Sequence, residues 1–360
     1  VNLFLLGLER VQDPWWWKPL IIFLRTTMTV NHSYHGVLIG LLVAMIGSFF
    51  ADLLAGPVSL QWFNIWAAII ENKASLDSLI FFEIRLPRAI LALLVGATLG
   101  ISGAALQGLL RNPLAESGII GVSNCAALGA VLVFYFGFTQ WAWFALPLAG
   151  LLGALVSVVL IFLLAGRSSS TVTLILAGIA INTIAGALMA MALNFAPNPY
   201  AMQEIVFWLL GSVANRSVSD VLIIVPFIVF GGLLILSCGR FLNALTLGEE
   251  TASSLGFNVQ VLRWRLVVGV VACVGAAVSV CGNIGFIGLV IPHLLRPLVR
   301  HDPQRLLSVS AMGGAVLLLL SDVAVQVLSS GGELKLGVIT SLVGGPFFLY
   351  LILKNRNVWG

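Results

Sequence analysis

Charge is what this sequence lacks. Lys, Arg, Asp and Glu make up only 9% of its 360 residues, where a soluble domain carries about a quarter. Hydrophobic residues reach 60% and mean hydropathy is +1.08. A soluble fold of this length needs a polar surface that the chain cannot supply. Cysteine and histidine are also scarce, four of each. Cys125, Cys238, Cys273 and Cys281 lie in or beside apolar runs with no CxxC pair. They read as small buried apolar residues, not as a disulfide frame or metal set. His32, His35, His293 and His301 sit near the ends of apolar runs and form no ligand cluster. Basic residues never form a run, so the net charge of +4 is no nucleic-acid signature. No GxxxxGK[ST] occurs, so any ATP that drives this protein must be bound by another chain. A membrane-bound enzyme is disfavoured because no nucleophile, base or metal ligands cluster. The apolar start Val1–Leu8 is too short for a cleavable signal and lacks a basic leader. The first span is therefore expected to serve as the insertion signal.

What is present is a series of uncharged runs: Gly36–Ala51, Ala89–Leu110, Ser117–Gly166, Ser168–Gln203, Val221–Gly239, Leu266–Leu295, Leu306–Ser321 and Leu336–Leu353. A helix needs roughly 20 apolar residues to cross a bilayer, so the chain predicts about ten spans. No barrel-type alternation is present, and backbone groups in lipid must pair internally, so the fold class is all-α and polytopic. The expected spans are Gly36–Ala55, Leu86–Leu110, Leu114–Phe136, Trp141–Ala165, Thr171–Leu193, Asp220–Cys238, Leu266–Gly282, a short irregular span ending near Leu295, Leu306–Leu328 and Leu336–Lys354. Gly282, Gly285, Gly288 and Pro292 break the eighth. Residues 1–35 form a polar and aromatic leader, whose Trp15-Trp16-Trp17 suits the membrane surface. Residues 36–354 form the transmembrane domain, with an inner loop at 239–265, and 355–360 form a tail. Ile205–Leu210 is too short to cross and reads as a surface helix. With the N-terminus inside, Lys73, Arg85, Arg88, Arg216 and Lys335 fall outside and every other Lys and Arg falls inside. Both termini are then cytoplasmic.

The stretch Arg85–Asn124 organises the rest. Gly96, Gly100, Ala104 and Gly108 recur every four residues, a small-residue face that lets another helix approach closely. Arg85–Pro113 has an echo in Arg263–Pro292: basic residues, a glycine-bearing span, then a turn ending in proline. The two would run in opposite directions, as in an inverted repeat.

Several residues carry two readings. Arg85 and Arg88 violate the charge rule; they either anchor a span end or grip acidic residues of an external partner. Asp322 and Asn182 lie within spans, where polar groups usually face the bundle interior or a water-filled path. Asp322 is read as an interhelical hydrogen bond or as part of an ion-coupled carrier with Asn182. No second buried acid or histidine is expected at its depth, which counts against a proton relay. In the inner loop, Leu247–Leu255 is expected to be a short helix, with Glu249 and Glu250 in its first turn and Gly256 as C-cap. It is either a solvated loop or a docking element for a cytoplasmic motor.

The order of motifs resembles the FecCD/BtuC-type permeases, the membrane subunits of ABC importers for iron-siderophores, haem and cobalamin. The resemblance rests on Arg85-Leu86-Pro87-Arg88, Gly103, Gln107, Asn112-Pro113-Leu114-Ala115 and Gly121-Val122-Ser123-Asn124. It continues with Leu247-Gly248-Glu249, Leu255-Gly256, Ile284 to His293, Arg296, Glu333-Leu334, Gly337-Val338-Ile339-Thr340 and Gly345-Pro346-Phe347-Phe348. It covers Leu38 to Lys354. It implies a BtuC-like bundle, a type II ABC importer permease, in the cell inner membrane. It further implies a second permease subunit, identical or homologous, two cytoplasmic ATP-binding subunits and a periplasmic or extracellular binding protein. This chain would then be a transport subunit and no enzyme, with ATP and Mg on the partner and no cofactor or metal of its own. By the resemblance, Arg85 and Arg88 dock the binding protein, and Lys335 adds a charge there. Gly248, Glu249, Glu250, Leu255 and Gly256 couple to the ATPase, and Asn182, Ile205, Phe207 and Trp208 line or gate the path. Asn283 and Lys335 stand where the family usually has proline. Iron(III)-siderophore is the expected cargo, with haem or cobalamin as alternatives.

Overall fold

The computed structural model describes residues 34–355 except 57, 72–74, 139–141, 143, 167–170 and 330–333. The leader up to residue 33, the tail from 356 and Glu333 lie outside the described residues. In order, the helices are α1 (Tyr34–Leu54), α2 (Trp62–Glu71), α3 (Leu76–Leu109), α4 (Val122–Tyr135), α5 (Ala145–Ala165), α6 (Thr171–Asn194), α7 (Pro199–Leu209), α8 (Val218–Ser237), α9 (Gly239–Leu245), α10 (Glu249–Ser254), α11 (Val259–Cys281), α12 (Ile287–Leu295), α13 (Pro303–Leu328) and α14 (Leu336–Asn355). Among the described residues, seven helices are long and apolar enough to cross a membrane, and Val122–Tyr135, Ile287–Val299 and Leu336–Leu349 are shorter apolar helices. Together they match the predicted spans one for one. The inner loop contains two short helices, α9 and α10, the second within the expected Leu247–Leu255. Gly256 follows the second at φ +88°, a backbone that glycine adopts without strain.

Helix α3 starts ten residues before the expected Leu86. Glu83 and Arg85 hid this extension, because they interrupt the apolar run. Pro87 has no N–H to give an α-helical bond, and its ring crowds the preceding turn. The chain meets this with a π-turn over Ile80–Arg85, so the rod continues unbroken from Leu76.

Helices α3 and α11 form the centre. In each, 78% of the most apolar window is buried, against 22% in α1, α5 and α8. These are the two helices of the sequence echo, and they touch one another. The small-residue series on α3 does not serve a single neighbour, as its spacing suggested. A Cβ on Gly96 would lie 2.4 Å from the Gly314 carbonyl oxygen, and one on Gly100 2.0 Å from that of Ser310, both on α13. Gly108 instead meets Leu242 of α9, and Ala104 is buried. Gly103, outside the series, lets α12 approach: its Cβ would sit 2.0 Å from the Gly288 oxygen.

Gly100→Ala should therefore lower stability by about 1–3 kcal/mol through overpacking. Gly40→Ala, with nothing within 4 Å of the added carbon, should leave it unchanged or slightly raised. Thermal unfolding in detergent compares the two.

Candidate functional site

Three polar assemblies interrupt the apolar bundle. The first lies at the Arg85 end. The Arg85 guanidinium turns inward and is only 7% exposed. It donates to the Leu53 and Leu54 carbonyls at 2.9 and 3.2 Å and to that of Val58. A cation on the last carbonyls of a helix satisfies orphan acceptors and the helix dipole together, so Arg85 ties the end of α1 to α3. Arg88 makes a bidentate pair with Asp322 of α13, at 2.6 and 2.9 Å. Its side chain keeps 18% exposure. Gln326 bridges onward, its amide donating to Asp322 at 3.0 Å and to Asp52 of α1 at 2.8 Å. Asp52 is 2% exposed. The expectation that no second buried acid shares the depth of Asp322 is thus corrected. Asp52 is the first charged residue after the run Gly36–Ala51, and nothing local marks it as buried. Lys335 places its ammonium over the Phe207 ring, 5.3 Å from the centroid.

The second assembly lies where two helices break. The Asn112 side chain accepts from the Leu114 N–H at 2.9 Å, closing a tight turn around Pro113. Beyond that turn, Glu116 accepts from the Phe286 N–H at 2.8 Å, placing a carboxyl at the N-terminus of α12. Further along α12, Pro292 cannot donate and leaves the Gly288 carbonyl without its helical partner. Gln107 of α3 supplies a donor, its Nε2 lying 3.3 Å from both the Gly288 and Leu289 oxygens. Its Oε1 accepts from Arg296. Glu116, Ser117, Ser123, Asn124, Asn182 and Asn283 line a cavity of about 160 Å³ between these breaks. Irregular backbone at membrane depth is tolerated where it is covered or lines such a cavity.

Of the four residues expected on a path or gate, Asn182 lines this cavity and Phe207 is 46% exposed. Ile205 and Trp208 instead face the protein. Ile205 is fully buried, and Trp208 sets its ring edge-on to Phe134. Gly282, at φ +72°, lets the Trp208 carbonyl approach, and Ser212 donates to the Cys281 carbonyl at 2.8 Å. The end of α7 is therefore seated on the end of α11.

The third assembly is at the opposite end, around α10. Gly248 precedes it at φ +110°. Leu247, Glu250 and Leu255 are exposed, while Ala252 is buried. Glu249 points the other way. One carboxylate oxygen accepts from Arg263 of α11 at 2.7 Å and from Thr171 of α6 at 3.1 Å. Burial alone would raise this carboxyl. The Arg263 hydrogen bond and charge, the Thr171 hydroxyl and the charge of Arg111 outweigh it and hold the group below its ordinary value. Sequence reasoning grouped Glu249 with Glu250. It missed Thr171 because that residue lies 78 positions away, and Arg263 because it sits on the next helix. The basic residue at the start of α11 was the available signal.

Two outcomes follow. Arg88→Met leaves Asp322 buried without its cation and should cost about 3 kcal/mol or more. Arg88→Met/Asp322→Leu should recover part of that loss in thermal unfolding. A depressed Glu249 contributes stability that is present above the ordinary value of 4.5 and lost as pH falls through the lower folded value. Amide protection in α10, corrected for intrinsic exchange, should hold at pH 5 and drop below about 4.5.

Comparison with known proteins identifies the family. A model of the FecCD transport family matches residues 41–354. The chain is 36% identical over 309 residues to a vitamin B12 import system permease, BtuC, of Vibrio cholerae, covering 85% of this chain and 90% of that one. It is 38% identical over 327 residues to a hemin transport system permease, HmuU, of Yersinia pestis, covering 89% and 95%. A solved inward-facing structure described as a metal-chelate type ABC transporter superposes with a TM-score of 0.78 at 33% identity, over 89% of this chain and all of that one. This chain belongs to the FecCD transport family and is a multi-pass membrane permease of an ABC importer.

Proposed function

We propose that this permease imports a large metal chelate, an iron(III)-siderophore first among candidates, across the cell inner membrane. The two chelates named for its relatives, vitamin B12 and hemin, are the competing cargoes. The observation that carries the reading is the exposed face of α10. Leu247, Glu250 and Leu255 project from a chain that has no phosphate-binding loop, so they suit contact with a separate ATP-binding subunit. Gly248 and Gly256 at positive φ set the angle of that short helix. Two such subunits would bind ATP and Mg, and this chain would hydrolyse nothing. A second permease, identical or homologous, would complete the path beside Asn182 and α7.

The external binding protein docks at the opposite end. Of the three residues expected to dock it, Lys335 offers positive charge, while Arg88 is paired with Asp322 and Arg85 is turned inward to the carbonyls at the end of α1, so these two shape the docking end without gripping the partner. In this orientation both termini are cytoplasmic. An ion-coupled carrier is the competing mechanism. The bidentate pairing of Asp322 with Arg88 counts against it, because both carboxylate oxygens are already engaged in joining α3 to α13.

Uptake of labelled ferric siderophore, hemin and cobalamin by a deletion strain and its complement identifies the cargo. Uptake of the true cargo should stop with vanadate and persist when a protonophore collapses the gradient. The reverse pattern would return the carrier mechanism. Charge reversal at Lys335, which leaves the Arg88–Asp322 pair intact, should weaken binding-protein association, most at low salt. Unchanged association would remove Lys335 from the docking face.

A further inference from the structure

We propose that Glu249 acts inward, as a tether that passes movement of α10 to the first turn of α6, while the exposed residues around it meet the motor. The inference rests on the reading of α10 as the coupling helix. It adds the route by which that helix reaches the spans.

The geometry points three ways at once. α10 has one outward face, carrying Leu247, Glu250 and Leu255. Glu249 leaves that face and joins two other helices through a single oxygen, Arg263 at 2.7 Å and Thr171 at 3.1 Å. The two helices differ in how much of this chain packs against them. Arg263 is 1% exposed and sits on α11, 78% of whose apolar window is buried. Thr171 is the first residue of α6, whose window is only 28% buried. A displacement of α10 therefore meets a fixed point at Arg263 and a yielding one at Thr171. Both bonds end on the ionised carboxylate, but the Arg263 one joins two opposite charges and is the shorter, so it anchors while the Thr171 hydroxyl guides.

The point of attachment matters as well. Thr171 lies at the very end of α6, where a sideways shift tilts the whole helix. Asn182 is about 16 Å further along at 1.5 Å per residue, on the polar cavity between the helix breaks. Gly121, at φ +74°, brings the start of α4 against α6 there, its Cβ position 3.1 Å from the Asn182 nitrogen and the Gly178 oxygen. That close contact acts as the fulcrum. Thr171 and Glu249 are thus positioning residues for transport, acting through α6 and not on the cargo.

The test uses the assembled importer in nanodiscs, with ATP, Mg and vanadate to trap the motor, and reads amide hydrogen exchange with no cargo required. In the wild type, trapping should change exchange both in α10 and in the first two turns of α6. Thr171→Val, which keeps the shape and removes the hydroxyl, should keep the α10 change and reduce the α6 change several-fold. Thr171→Ser should restore it. Glu249→Ala should also reduce the α6 change, and adding Thr171→Val to it should do nothing more, since both remove one link. An α6 response in Thr171→Val equal to the wild type overturns the tether and leaves the coupling reading intact. A wild-type α10 that does not respond to trapping overturns the coupling reading and the tether with it.

Discussion

The Gly288 carbonyl, freed by Pro292 in the middle of a helix, sits against Gly103 and faces the Gln107 amide. In lipid an unpaired carbonyl costs several kcal/mol, because no water is present to take it. The chain meets that cost by bringing α3 close enough for one of its side chains to serve α12. Only glycine at position 103 allows the approach. Most of the bundle is arranged around the same demand. α13 lies against Gly96 and Gly100 of α3, and α11 is buried beside it. The broken middle of the membrane is then lined by side chains that satisfy one another. Glu116 takes the Phe286 N–H, and Asn124, Asn182 and Asn283 share one small cavity.

Apart from Glu116 and Arg296 at the helix breaks, the charged assemblies among the described residues lie at the two ends of this frame, and they do different work at each. At one end the charge is locked. Arg85 caps α1, and Arg88, Asp322, Gln326 and Asp52 join α1, α3 and α13 into a single hydrogen-bonded set. A buried pair of this kind adds less to stability than its distances suggest, because desolvation opposes it. It does fix which helices are neighbours. At the other end the charge is held more loosely. Glu249 keeps 37% exposure and shares its oxygen between a buried arginine and a threonine at a helix end. A stiff end and a yielding end suit a machine that is driven from one side.

The sequence carried much of this. Eight uncharged runs, some long enough for two crossings, predict ten spans because lipid leaves the backbone no alternative, and seven long and three shorter apolar helices stand at those places among the described residues. The Asn112-Pro113 turn and the Gly256 cap were legible for local reasons: proline forbids continuation, and glycine accepts a positive φ. The start of α3 was not legible, because a π-turn absorbed the proline and carried two charged residues inside a helix that composition had ended.

By itself, then, the sequence determined what each segment does with its own backbone: how many helices cross, where they break, and which end of the chain order carries charge. Only the tertiary structure decided where the side chains point. Arg85 and Arg88 are three residues apart, yet one turns to the carbonyls of α1 and the other to Asp322 of α13. Asp52 finds its partner 274 residues away in Gln326. Glu249 and Glu250 are adjacent, and one is tied inward while the other is exposed. Local physics sets helix against turn over a few residues. The partner of a polar group is set by which helices meet, and that depends on the whole bundle.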